Sequence, residues 1–477
     1  MTPAAESFRH AAARAAADEA RQDFLRAGLA TYGTAHESAR RRFADWQAAR
    51  ARCHAVKLAA LSRLDAHLLR FEEQIRGRGG HVFWAETAAD ARAYILDLAR
   101  RHGVARAIKS KSMVSEEVHL GAALEEAGIE AVETDLGEFI VQLRHEPPFH
   151  IVTPAMHLRR AEIAALFQRE LGTPATADSA EELAAAARRA LRHKFLAADM
   201  GITGANFWIA GEGLVAITEN EGNARLTAAL PRLHVVLTGI EKVLPRLADL
   251  ALFWPVLAAS GTGQSITCYN TLVGGPRQPD ENDGPEEFHV VLLDNGRTAL
   301  LADPERRDVL ACIRCGACLN VCPVFHAIGG HAYGATYSGP IGAVLTPHLR
   351  GLAEFGHLSY ASSLCGACTE ACPVQIDLHR HLVRDRRDMV ARGLRPSRER
   401  SALRLWTWLV SDARRFARAG ALLRWSLRLK NALLREGGVL DPLRPWTRAR
   451  AFPPPPPESF RQWWRRRAAP PAKGRRD

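Results

Sequence analysis

The sequence predicts an α/β domain, preceded by long amphipathic helices and followed by a small cysteine-rich helical module and a basic helical tail. Three observations predict it. Between about residues 76 and 300, short apolar runs alternate with helical patterns. Seven of the nine cysteines fall between Cys312 and Cys372. The net charge of +12 is carried by the C-terminal end: from Arg380 onward there are 26 Lys+Arg against 8 Asp+Glu, so the rest of the chain is net negative. With 477 residues, 47% of them hydrophobic and 24% charged, the chain has the balance of a folded protein of several domains. That balance excludes a disordered chain, a small disulfide scaffold and a collagen-like fibre. The most apolar stretch, Leu250 to Ser260, is too short for a transmembrane helix and contains Pro255. The first twenty residues carry Glu6, Asp18 and Glu19 and lack the apolar core of a secretory signal. Arg40-Arg41-Arg42-Phe43 faintly resembles a twin-arginine signal, but it lies too far in and no export core follows. The expected location is cytoplasmic.

The first region, 1–75, is rich in Ala, Arg and Glu. Leu25 and Leu29, then Leu58, Leu61, Leu64 and Leu68, recur at helical spacing. In the α/β region, 76–300, strands are expected at His81 to Ala85, Ala105 to Lys109, Ile129 to Glu133, His150 to Thr153, Phe207 to Ala210, Leu214 to Thr218, Leu233 to Thr238, Ser265 to Leu272 and Phe288 to Leu293. Helices are expected at Ala88 to Arg101, Ser115 to Ala127, Leu158 to Leu171 and Ala180 to Ala198. Two features interrupt this pattern. Lys109-Ser110-Lys111-Ser112 follows a strand and precedes a helix, as a solvated turn or an anion-holding loop would. Glycines are dense in Gly201 to Asn206, Gly211 to Gly213 and Glu219 to Asn223, implying tight turns or backbone approach to a ligand. Neither a G-x-G-x-x-G nor a G-x4-G-K-[ST] motif is present.

The cysteine-rich region, 301–388, opens with Cys312-Ile-Arg-Cys315-Gly-Ala-Cys318-Leu-Asn-Val-Cys322-Pro323. This C-x2-C-x2-C-x3-C-P run is the ferredoxin spacing for four-iron clusters. Three cysteines at three-residue intervals wrap one cube, and the fourth passes to a second. Cys365-Gly-Ala-Cys368-Thr-Glu-Ala-Cys372-Pro373 repeats the pattern with one cysteine missing, Ser362 standing in its place. If ligands cross over as in two-cluster ferredoxins, Cys312, Cys315, Cys318 and Cys372 hold the first cluster, and Cys322, Cys365 and Cys368 hold the second. Structural zinc also uses C-x2-C pairs, but seven thiols suit four-ligand zinc sites poorly. The second cluster's fourth position is open to Ser362, Ser363, water or a partner residue. An open iron would be a Lewis acid, as in a hydro-lyase, whereas an electron carrier needs only two clusters close in space. Cys53 and Cys268 stand apart and are expected to be inert thiols.

The tail, 389–477, holds Trp406, Trp408, Trp425, Trp446, Trp463 and Trp464 among arginines, with a stiff spacer at Pro453 to Pro457. Three readings compete: peripheral membrane contact, docking on an acidic partner, or a helical cap. Nucleic acid is not the expected partner, because the tryptophans lie mostly on apolar helix faces.

The run from Cys312 to Cys322, with Ile328-Gly-Gly-His331-Ala-Tyr333-Gly, Gly339-Pro-Ile-Gly-Ala-Val-Leu-Thr-Pro347 and Ser362-Ser363-Leu-Cys365-Gly-Ala-Cys368-Thr-Glu-Ala-Cys372, resembles the lactate utilization protein B family. Gly201-Ile-Thr-Gly-Ala-Asn206-Phe and Asn220-Glu-Gly-Asn223 resemble that family's LUD domain, whose fold is akin to CoA transferases and sugar-phosphate isomerases. The resemblance implies two iron–sulfur clusters, both [4Fe-4S], held by those seven cysteines. It also implies electron transfer in the oxidation of L-lactate to pyruvate, together with LutA- and LutC-like partners and without catalytic residues in this chain. Removing two electrons and two protons from a hydroxy acid generally needs a flavin, a nicotinamide or an open metal, so a subunit without a nucleotide motif relays electrons more naturally than it breaks the C–H bond. The alternative to the hydro-lyase and the carrier is a CoA- or phosphate-ligand enzyme with the clusters as a redox sensor.

Overall fold

The computed structural model describes residues 2–434, 438–447 and 450–468. They form two units, residues 1–392 and 393–477. The first is built on ten strands: β1 His81–Ala85, β2 Arg106–Lys109, β3 Glu130–Glu133, β4 Met200–Thr203, β5 Phe207–Ile209, β6 Leu214–Glu219, β7 Leu233–Gly239, β8 Val243–Leu244, β9 Tyr269–Val273 and β10 Glu287–Leu293. Six make a parallel sheet in the order β1-β10-β7-β4-β2-β3. All seven residues of β7, in the middle of that sheet, are buried, as expected for a parallel strand covered on both faces. A second, mixed sheet follows the order β8-β5-β6-β9.

Most expected strands form within a residue or two of their predicted bounds. The segment at His150 does not. Val152 N–H and Thr153 N–H both donate to His150 Nδ1, at 3.1 and 3.2 Å, and the Thr153 hydroxyl donates to it as well. These donors are used locally, so no strand ladder forms. Conversely, β4 lies where only a glycine-rich loop was expected: its four residues are all buried between β2 and β7, and their tertiary pairing decides. The helix expected over Ser115 to Ala127 is broken into Met113–Glu117 and Leu120–Glu126 by His119, at φ +53°.

The N-terminal helices join the same interior. Leu25 and Leu29 of helix Glu19–Arg40, and Leu64, Leu68 and Phe71 of helix Leu64–Gly77, share one apolar cluster with β5, β6 and the cysteine module. Burying such a stripe is worth about 1.5–3 kcal/mol per large side chain. In the second unit, helices Ser397–Val410 and Ala413–Leu433 bury no side chain. Trp406, Trp408 and Trp425 are all more than half exposed, and the Arg415 guanidinium lies over the Trp408 ring at 4.6 Å. Among the described residues, no helix is long and apolar enough to cross a membrane.

Candidate iron–sulfur site and adjoining cavity

The repeat read from the sequence is also a repeat of backbone conformation. In the first loop Arg314 and Gly316 take φ of +58° and +77°; in the second, Leu364 and Gly366 take +56° and +83°. Each loop then enters a short helix, Ala317–Asn320 or Ala367–Ala371, and each ends at an extended cysteine before proline, Cys322 or Cys372. A left-handed non-glycine residue costs about 1–2 kcal/mol. Two such residues at matched positions mark conformations held for a purpose.

The seven thiols fall into two groups. Burial, then the nearby Cys312 and Cys372, pushes the Cys315 thiol up; Cys318 is raised by burial and by Cys312, Cys315 and Cys372. Burial, then Cys322 and Cys365, pushes Cys368 up to about 11. Cys365 differs: it is exposed, and the Ala367 N–H and then Ser363 lower its pKa. Thiols crowded together in an apolar interior repel one another as thiolates, a situation that a polynuclear cation resolves. The donor set therefore fits sulfur-ligated iron. The other two cysteines lie away from these groups. Cys53 is buried and raised to about 12 by burial, and Cys268 is exposed just before β9.

Cations surround the first group. Arg50, from helix Trp46–Leu61, donates through Nε and Nη2 to the Cys372 carbonyl at 2.9 and 2.7 Å. Lys57 of the same helix donates to the Glu241 and Val243 carbonyls. The Glu241 carboxylate binds Arg297 at 2.6 Å and Arg314 at 3.2 Å. Burial pushes Glu241 up, but Arg297 and Arg314 outweigh it and bring it down to about 2. Arg297 continues to Glu117, which also accepts from the Tyr337 hydroxyl. This buried charge network ties the cysteine loop to the sheet. Sequence reasoning did not single out Glu117, Glu241, Lys242 or Arg297, since isolated charges in apolar surroundings carry no periodic signal.

Ser110 to Ser112, Gly204 to Asn206 and Glu219 to Glu221 meet around one cavity of about 560 Å³, beyond the carboxyl ends of β2, β3 and β4, whereas Gly211 to Gly213 does not line it. Parallel sheets bind ligands at that edge. Ser110, Lys111, Gly204 and Asn206 line it from the sheet side, and Arg314 and Cys315 from the cysteine loop. Lys109 is not solvated as a turn residue would be: it is 1% exposed and pairs with Glu133 at 2.6 Å and Glu116 at 2.9 Å. It therefore belongs to the core, and Lys111 is the cavity residue.

Comparison with known proteins agrees with this anatomy. Residues 68–293 match the LUD domain, and residues 308–376 match a 4Fe-4S dicluster domain. The chain is 44% identical over 414 residues to Lactate utilization protein B of Bacillus velezensis, covering 86% of each protein. It is 41% identical over 441 residues to Lactate utilization protein B 2 of Bacillus mycoides, covering 91% of this chain and 93% of that one. A solved structure of a DUF162 family protein from Deinococcus radiodurans aligns with a TM-score of 0.27 at 14% identity, over 48% of this chain and 98% of that chain.

Proposed function

The chain belongs to the lactate utilization protein B family, and from that premise we propose that it is the electron-relaying subunit of a system that oxidises L-lactate to pyruvate, working with LutA- and LutC-like partners in the cytoplasm. The observation that carries this reading is the sorting of seven thiols into two groups, one buried except for the half-buried Cys312 and one reaching the surface at Cys365. Cys312, Cys315, Cys318 and Cys372 would hold one [4Fe-4S] cluster, and Cys322, Cys365 and Cys368 the other. Such clusters supply one-electron storage and transfer. The chain's own residues do the rest. Cys315, Cys318 and Cys372 are buried and Cys312 half-buried, which limits the first group's contact with bulk water. Arg50 fixes the Cys372 backbone, and Arg314 places positive charge beside Cys312. The exposed Cys365 gives the second group a face toward a partner.

Anaerobically purified protein is expected to hold about seven to eight irons, to show no lactate turnover alone, and to accept electrons from a reduced partner. Robust lactate oxidation by the pure chain would overturn the relay reading. For the basic tail we favour docking on an acidic partner, since complementary charge speeds repeated encounters. Truncation after about residue 390 is expected to leave iron content unchanged, weaken complex formation and reduce its salt dependence. Cluster loss on truncation would show the tail to be a structural cap.

A further inference from the structure

The second cysteine loop has one thiol fewer than the first, and its backbone shows what stands in that place. Ser362 precedes Cys365 by three residues, as Cys312 precedes Cys315. The two loops match from end to end. A 3-10 helix leads into each, Arg307–Ala311 ahead of Cys312 and Gly356–Tyr360 ahead of Ser362. Left-handed residues follow at the same positions, Arg314 and Leu364 at φ +58° and +56°, then Gly316 and Gly366 at +77° and +83°. Cys322 and Cys372, which close the loops, have ψ of 115° and 118°.

One hydrogen bond is matched as well. The Arg314 N–H donates to Cys312 Sγ at 3.4 Å, and the Leu364 N–H donates to Ser362 Oγ at 3.1 Å. On matched backbones this bond gives the serine side chain the orientation that the cysteine takes, so Ser362 Oγ stands where the eighth sulfur would be. The serine's own backbone is also held. Arg386, from helix Leu378–Ala391, donates to the Ser362 carbonyl at 3.1 Å and to the Ser359 carbonyl at 3.0 and 2.8 Å. Arg50 holds the Cys372 carbonyl of the first group in the same manner.

The other hydroxyls of the loop are placed differently. Ser363 is exposed and bonds Cys365, and its counterpart in the first loop is Ile313, a core residue. The Thr369 hydroxyl bonds His379 Nδ1 at 2.9 Å, and its counterpart is Leu319, which has no ligand atom to offer.

We infer that Ser362 Oγ is the fourth ligand of the second group, completing the set of Cys322, Cys365 and Cys368. As the iron–oxygen bond forms the O–H bond breaks, and the proton leaves to solvent as thiol protons do; no electron is exchanged. An oxygen ligand is harder than a thiolate, so the two groups differ in chemistry as well as in exposure. The serine also closes the position that a hydro-lyase would leave open to its substrate.

The assignment rests on the two-cluster reading, which iron counting on the parent checks by itself. Mössbauer and electron paramagnetic resonance spectra of the anaerobic full chain test the ligand, in ordinary water and in water enriched in the magnetic isotope of oxygen. The parent is expected to hold about eight irons per chain, and its second-group signal to be unbroadened by the enriched water. S362A is expected to lose about one iron per chain and give a three-iron signal, or to keep that iron with a signal newly broadened by the enriched water. S362C is expected to restore the iron with an altered second-group spectrum, and S363A to match the parent. An S362A spectrum identical to the parent in both waters overturns the assignment. So does the same loss in S363A, or a parent signal broadened by the enriched water, which would put water in the serine's place.

Discussion

Cys315 and Cys365 occupy equivalent places in two loops of matched backbone, yet Cys315 is 7% exposed and Cys365 lies at the surface. The difference comes from what packs against each loop. Over the first loop the α/β region lays His150 and Val152, which approach the Gly316 position closely, while nothing comes near Gly366. Arg50 reaches in to the Cys372 backbone, and Arg314 is held by Glu241 and stacked over Tyr337 at 4.9 Å. The same local sequence thus makes an interior site where other elements cover it and a surface site where they do not. Ligand spacing and environment are separate properties, and only the first is local.

The strongest test of that contrast removes one ligand from each side. Holding a cluster contributes to folding directly, because the ligands do not form a site in the unfolded chain. C315S is expected to lose about half the iron together with a large drop in thermal midpoint, since a buried loop built for four thiolates is left unfilled. C365S is expected to lose the second signal with a much smaller drop. Iron counting and thermal denaturation, run on the same samples, read both. Equal drops would show that burial of the first group adds nothing to stability.

Acid should weaken the covering sheet. His234, in β7, is fully buried, with Nε2 against the Thr203 hydroxyl at 2.9 Å and Nδ1 unpartnered. Burial lowers its pKa from 6.5 to about 3. As pH falls below about 6.5 the unfolded chain binds a proton that the folded histidine refuses, so stability falls. For this residue alone the loss is about 1.4 kcal/mol per pH unit, ending near the folded value. Denaturant titrations at pH 7 and pH 5 should show that fall in the parent and a shallower one in H234Q. If acid releases iron from the first group as early as from the second, before the sheet unfolds, cover by the sheet is not what protects the first.

The sequence made the cysteine module legible because metal spacing is local: three-residue intervals and the Gly-Ala-Cys repeat report on a single loop. The parallel strands were legible as apolar runs, and β1 and helix Ala88–Arg101 appear at the predicted bounds. What stayed hidden depends on partners far along the chain. Lys109 reads as a turn cation and is instead enclosed by Glu116, Glu133 and Glu138. Lys242 and Glu241 sit in the apolar stretch after β7, and nothing in their neighbours in sequence shows that one would be bonded twice and the other left facing a cavity. The His150 segment misleads in the opposite direction: its composition suits a strand, but the imidazole takes up the N–H groups that a ladder needs.

The finest comparison is between the two loop glycines. Gly316 and Gly366 both take left-handed φ, at +77° and +83°, so alanine at either should cost about 1–2 kcal/mol from backbone strain alone. Their surroundings then separate them. A Cβ at Gly316 would lie 3.1 Å from both His150 Cε1 and Val152 Cγ2, whereas one at Gly366 meets nothing within 4 Å. His150 cannot swing aside cheaply, because its Nδ1 is tied to Val152 N, Thr153 N and the Thr153 hydroxyl. Overpacking of this kind adds about 1–3 kcal/mol. G316A should therefore destabilise the loaded protein by more than G366A, in denaturant midpoints measured side by side. The smaller of the two effects, in G366A, should be strain alone and leave the first cluster's spectrum untouched. Equal losses would mean that His150 and Val152 yield, and that the cover over the first loop is looser than its packing indicates.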